Sequence, residues 1–135
     1  MTAKMRMNKI YDKLLNWQCD VNGARERFLN DDELFLECLN SVSNDDLFEK
    51  LYNSLKEKNV SSAFECSHTL KGVLGNMGIT PMFKQVTIIV DAVRKDNNGK
   101  EPTPDFDELL IQFNKLKSQN EKLKEILKEQ PQKIS

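Results

Sequence analysis

Ser62-Ala63-Phe64-Glu65-Cys66-Ser67-His68-Thr69-Leu70-Lys71-Gly72-Val73-Leu74-Gly75-Asn76-Met77-Gly78 is the stretch on which the reading of the whole chain turns. It holds the only histidine and three of the five glycines, yet its pattern is helical. At about 100° per residue, Val60, Ala63, Phe64, Ser67, Leu70, Leu74 and Met77 form a stripe wide enough to bury. His68 lies roughly 200° from Leu70, in line with Ser61, Glu65, Gly72 and Gly75. A glycine inside a helix costs roughly 0.8–1 kcal/mol relative to alanine, so two of them on the histidine face need a reason other than stability. Helical side chains lean over the preceding turn. Glycine at 72 and at 75 is therefore expected to leave the imidazole on a cleared surface, with Lys71 one turn away.

Working outward, Glu57 to Ser62 is a tight connection that predicts an antiparallel predecessor to the histidine helix. That predecessor carries Phe48, Leu51, Tyr52 and Leu55, and before it come Phe35, Cys38, Leu39 and Val42. Ser43-Asn44-Asp45-Asp46 is a capping signature between the two sets, and residues 31–58 read equally as one kinked helix or as two. Asn30-Asp31-Asp32-Glu33 is a helix start with acidic groups where the macrodipole favours them. Upstream, Met7, Ile10, Leu14 and Trp17 predict a short amphipathic helix on the outside of the bundle. A brief helix over about 21–28 follows, capped by Asp20.

Downstream, Gly78 is a C-cap candidate, and Thr80-Pro81 pairs an N-cap with proline at the first helical position. Phe83, Val86, Ile89, Val90 and Val93 point inward, while Ile88 faces away. Ile88 is either a docking patch beside the histidine helix or a residue packed under a loop. Phe106, Leu109, Leu110, Phe113, Leu116, Leu123 and Leu127 describe a last long helix. Its Lys- and Glu-rich part, 115–128, reads as a solvated extension past the core, too short for a coiled-coil assignment. The pattern gives an all-α chain: an antiparallel four-helix bundle over 31–130, short helices over 1–30, and a tail over 131–135, in one domain.

Composition narrows the function. Hydrophobic residues at 39% and charged residues at 30% are a globular balance, and a net charge of −1 exerts no general pull on nucleic acid or anionic membrane. No apolar run suits a signal peptide or a transmembrane helix, so a cytoplasmic protein is expected. Cys19, Cys38 and Cys66 are odd in number and far apart, which suits neither a disulfide framework nor, with one histidine, a zinc site. Asp31, Asp32, Glu33, Glu37, Asp45 and Asp46 lack the loop spacing of a calcium motif and read as solvated helix starts. There is no phosphate-cradling glycine loop and no Ser-His-Asp set.

His68-Thr69-Leu70-Lys71-Gly72, with Gly78 ten residues after the histidine, resembles the H-x-L-K-G…G signature of histidine-containing phosphotransfer (HPt) domains of two-component phosphorelays. The resemblance extends through Trp17–Val21, Arg27–Glu33, Asn76–Pro81 and Val90–Arg94, most of residues 14–97. Leu74, where relatives often carry a smaller residue, and Asp91, in place of glutamate, depart from it. It implies that His68 accepts a phosphoryl group on Nε2 from a receiver-domain aspartyl phosphate and passes it to another receiver. Lys71 would supply charge, and Glu65, Gly72, Gly75 and Ile88 would contribute to docking.

The implied partners are response-regulator receivers and a hybrid sensor histidine kinase. The implied Mg²⁺ belongs to the receiver; this chain would be a monomeric phosphocarrier with no metal or cofactor of its own, and no kinase. The contrasting reading is a helical adaptor that docks on a receiver or kinase without being phosphorylated.

Overall fold

Five of the helix starts are written in a single residue each. Thr2, Asp20, Asp31, Asn59 and Asp105 each place a side-chain oxygen on the amide three residues on, Met5, Gly23, Leu34, Ser62 and Glu108 respectively. Such caps contribute about 1 kcal/mol apiece. The computed structural model describes residues 2–128. Among these it has seven helices: α1 (Ala3–Asn16), α2 (Val21–Arg27), α3 (Asp32–Ser43), α4 (Leu47–Lys56), α5 (Val60–Asn76), α6 (Thr80–Val93) and α7 (Phe106–Leu127). The expected tail, 131–135, lies outside the described residues.

The last four helices form the bundle, and side-chain pairs give its directions. Ser54 meets Ser62 across α4 and α5, and Gly75 faces Phe83 across α5 and α6. Gln85 bonds Gln112 across α6 and α7, and the Tyr52 ring packs tilted against Phe113 where α7 returns to α4. Each pair joins antiparallel neighbours, so the chain runs up, down, up and down around Leu51, Leu55, Leu70, Leu74, Met82, Val86, Ile89 and Leu116, all buried.

The open question over 31–58 resolves into two helices. Asn44 closes α3 by bonding the Asn40 carbonyl with both its backbone and its side-chain amide. The Asp45 carboxylate then accepts from the Leu47 amide at 2.9 Å. These local side-chain bonds compete with the helix ladder and break it.

Three expectations are corrected. The α7 segment beyond Lys115 is not a solvated extension, for Leu116, Asn120, Leu123, Ile126 and Leu127 are buried. What covers it is the N-terminal region, which is more than an outer layer: α1 and α3 both pack on α7, and Ile10, Leu14 and Leu39 are fully buried in the same core. The buried Asn120 amide fastens the end of α3 by donating to the Ser43 carbonyl at 2.9 Å. Thr80, expected as the cap of α6, is instead its first residue, after Ile79.

Cys19 lies in the join between α1 and α2. Burial pushes its thiol up to about 12, against smaller opposing effects of the Thr80 amide and the Lys122 ammonium. The folded protein therefore holds this proton through a window, from about 9 to about 12, in which the unfolded chain has lost it. The associated stability is complete below that window and falls as pH rises through it. At pH 8, Cys19 is expected to alkylate with iodoacetamide more slowly than the half-buried Cys38. Peptide mass spectrometry over time checks this; equal rates would contradict the buried environment.

Candidate functional site

The histidine helix α5 is fixed at both ends. Asn59 caps its start. At its end, Arg27 of α2 donates from Nε to the Asn76 carbonyl at 2.9 Å and from Nη2 to the Gly75 carbonyl at 3.1 Å. Gly78 turns the chain with φ +72°, and the Ile79 amide closes back on the Leu74 carbonyl. The Gly78 carbonyl in turn accepts from the Asp20 amide at 2.8 Å. Orphan carbonyls at the end of the helix are thus satisfied by a left-handed glycine cap and by a guanidinium from another helix.

Between those anchors α5 buries Val60, Ala63, Cys66, Ser67, Leu70 and Leu74. Ser67 sits fully buried in this face because its hydroxyl donates to the Ala63 carbonyl at 2.6 Å. His68 is exposed on the opposite side, on the outer crest of the bundle. Glu65 lines the groove toward α4, beside Lys50, Ser54 and Thr69. Lys71 leans the other way, its Nζ 5.7 Å from the centre of the Phe83 ring on α6.

Phe64, placed by periodicity on the buried stripe, is only half-buried. Its ring stacks on the His68 imidazole, centroids 5.2 Å apart and planes at 29°. The guanidinium of Arg94, the residue that follows α6, lies over the same Phe64 ring at 5.2 Å. The relation of Phe64 to His68 was available in the sequence, since residues four apart on a helix are neighbours. The contribution of Arg94 was not, because it comes from another helix, as does that of Phe83.

The two glycines differ. A Cβ built at Gly72 would meet nothing within 4 Å, whereas one at Gly75 would lie 3.3 Å from the ring of Phe83. Cleared surface is therefore found at Gly72 alone; Gly75 is the small residue that lets Phe83 pack on α5. Gly72→Leu is expected to leave the melting temperature unchanged or higher, since helix propensity favours leucine by roughly 0.8 kcal/mol. Gly75→Leu must displace an aromatic ring, an overpacking cost of about 1–3 kcal/mol that exceeds the same gain. Thermal melts of both variants check the contrast, and a stable Gly75→Leu would contradict it.

Ile88 is left open between two readings by the sequence. It is exposed, but it lies about 140° around α6 from Phe83. It shares a groove with Pro102, Pro104, Leu109 and Gln112 on the α7 side. That groove lies on the α7 side of α6, whereas Phe83 packs on the α5 side. Among the described residues no group of three or more His, Cys, Asp or Glu is placed to hold a metal ion.

The arrangement offers one solvent-facing imidazole with a cation on the next turn and an aromatic ring against its flank. A family model described as Hpt domain matches residues 41–127, from late α3 to the end of α7, and so contains this whole surface. Neither the curated proteins nor the solved structures gave a match.

Proposed function

The chain belongs to the Hpt domain family, whose members carry phosphoryl groups in two-component systems, and on that premise we propose that His68 is its phosphoacceptor. The observation that supports this most is the exposure of His68 on the crest of α5 beside the open position of Gly72, within the matched segment. Hpt domains are phosphocarriers and work with receiver domains and histidine kinases. The finer assignment is a relay in which His68 takes the group from one receiver and gives it to another.

The chemistry follows from an accessible imidazole, whose Nδ1–H tautomer carries a free lone pair on Nε2. The Nε2 lone pair attacks the phosphorus of a receiver's aspartyl phosphate. A P–N bond forms while the P–O bond to the aspartate breaks, and that electron pair leaves with the carboxylate. The imidazolium so formed sheds its Nδ1 proton to water. Onward transfer is the reverse step on a second receiver. Such transfers depend on positioning and on charge near the phosphoryl oxygens, the role proposed for Lys71. Mg²⁺ for the reaction would come with the receiver. Docking would use Glu65 and Gly72 on one flank of the crest and Phe83, lying over Gly75, on the other.

No helix among the described residues is long and apolar enough to cross a membrane. We place the protein with its receivers in the cytoplasm. The test is incubation with a phosphorylated receiver, and separately with radiolabelled ATP and Mg²⁺ alone. Acid-labile, base-stable label is expected in the first reaction and none in the second. Receiver binding without label would favour the adaptor, and stoichiometric self-labelling from ATP would overturn the carrier.

A further inference from the structure

We infer that Phe64, braced by Arg94, is a positioning residue that holds the plane of the His68 imidazole for transfer. This rests on the proposed role of His68 as phosphoacceptor. Three observations carry it. Phe64 sits one turn before His68 and is only half-buried, so its ring is free to lie along the helix surface toward the histidine. The two rings are near-parallel, at 29°, with centroids 5.2 Å apart, within the range of an offset stack. The Arg94 guanidinium lies 5.2 Å from the centre of the same phenyl ring, a cation–π contact that ties Phe64 to the end of α6.

An exposed imidazole on a helix otherwise rotates about two side-chain bonds, and each rotation carries Nε2 away from an incoming phosphorus. Gly72 puts no side chain within reach to limit that motion. The stack supplies the missing restraint from the opposite turn, leaving the outer edge of the ring clear. Arg94 acts through Phe64: it is the first residue after α6, with extended backbone, and its guanidinium reaches back over α5. Such a device restrains the nucleophile at no cost in access, and orientation of this kind is worth large factors in rate.

The test separates orientation from docking. Phosphoramidate, a small phosphoryl donor with no protein surface, and a phosphorylated receiver are each used to label His68. In the first, the P–N bond of the donor breaks and ammonia leaves with a proton. Phe64→Leu keeps a good helix former at this site and removes the stack. Both reactions are expected to slow together, by about tenfold, and Phe64→Tyr to restore both.

Because His68 is the only histidine, its imidazole C–H resonances can be followed without ambiguity. They should be shifted upfield by the Phe64 ring in the parent, and relax toward free-histidine values in Phe64→Leu and partly so in Arg94→Met. A parent that labels while Phe64→Leu labels as fast would overturn the inference and leave the acceptor role standing. So would a loss confined to the receiver reaction, which would make Phe64 a docking residue. A parent that takes no label from either donor would overturn the acceptor role itself, and this inference with it.

Discussion

Gly78→Ala is expected to cost about 3 kcal/mol of stability. Gly78 has φ +72°, where a residue with a Cβ loses roughly 1–2 kcal/mol. A Cβ there would also stand 2.4 Å from the Asp20 carbonyl oxygen and 3.1 Å from the Ala24 side chain. The first neighbour is backbone, so no rotamer change relieves it. The segment joining α1 to α2 must move off α5, breaking the bond from the Asp20 amide to the Gly78 carbonyl, worth about 1 kcal/mol.

Gly99 is the control. Its φ is +77°, but nothing lies within 4 Å of a Cβ there, so Gly99→Ala should carry backbone strain alone, about 1 kcal/mol. Urea unfolding of the two variants measures the difference. Equal losses would mean that the contact between the N-terminal segment and the histidine helix contributes nothing.

That contact also explains what the sequence could and could not disclose. Helix spans were legible because the apolar period repeats through Met7, Ile10 and Leu14, through Leu51 and Leu55, and through Val86, Ile89, Val90 and Val93. Caps were legible where a short polar side chain precedes each run, as at Asp20 and Asp31. The face of α5 that carries His68 was legible too, being set by periodicity alone.

Partners from other helices were not. Phe83 fills the space over Gly75, Arg94 reaches Phe64 from thirty residues away, and Ile88 turns toward α7. Each depends on how neighbouring helices are arranged around the core, a property that no single helix encodes. The charged stretch after Lys115 misled for the same reason. Its few apolar positions are enough to bury one side when α1 and α3 arrive to cover it. Phe64 misled differently: it sits at the margin of the apolar stripe, where a residue can face either the core or the next exposed ring.

The second large effect is at His68 itself. Its side chain is exposed and forms no part of the buried core, so His68→Gln should change stability by no more than about 0.5 kcal/mol. Glutamine keeps a polar side chain on the helix crest but offers no imidazole nitrogen to phosphorus. Transfer from a phosphorylated receiver, with the modified residue mapped by mass spectrometry at neutral pH and both proteins melted from the same preparations, is the direct measurement. The parent is expected to carry one acid-labile phosphoryl group at His68, and the glutamine variant none at an unchanged melting temperature. Label that persists in His68→Gln, or that maps to another residue of the parent, would contradict the assignment of this chain as a phosphoryl carrier through His68.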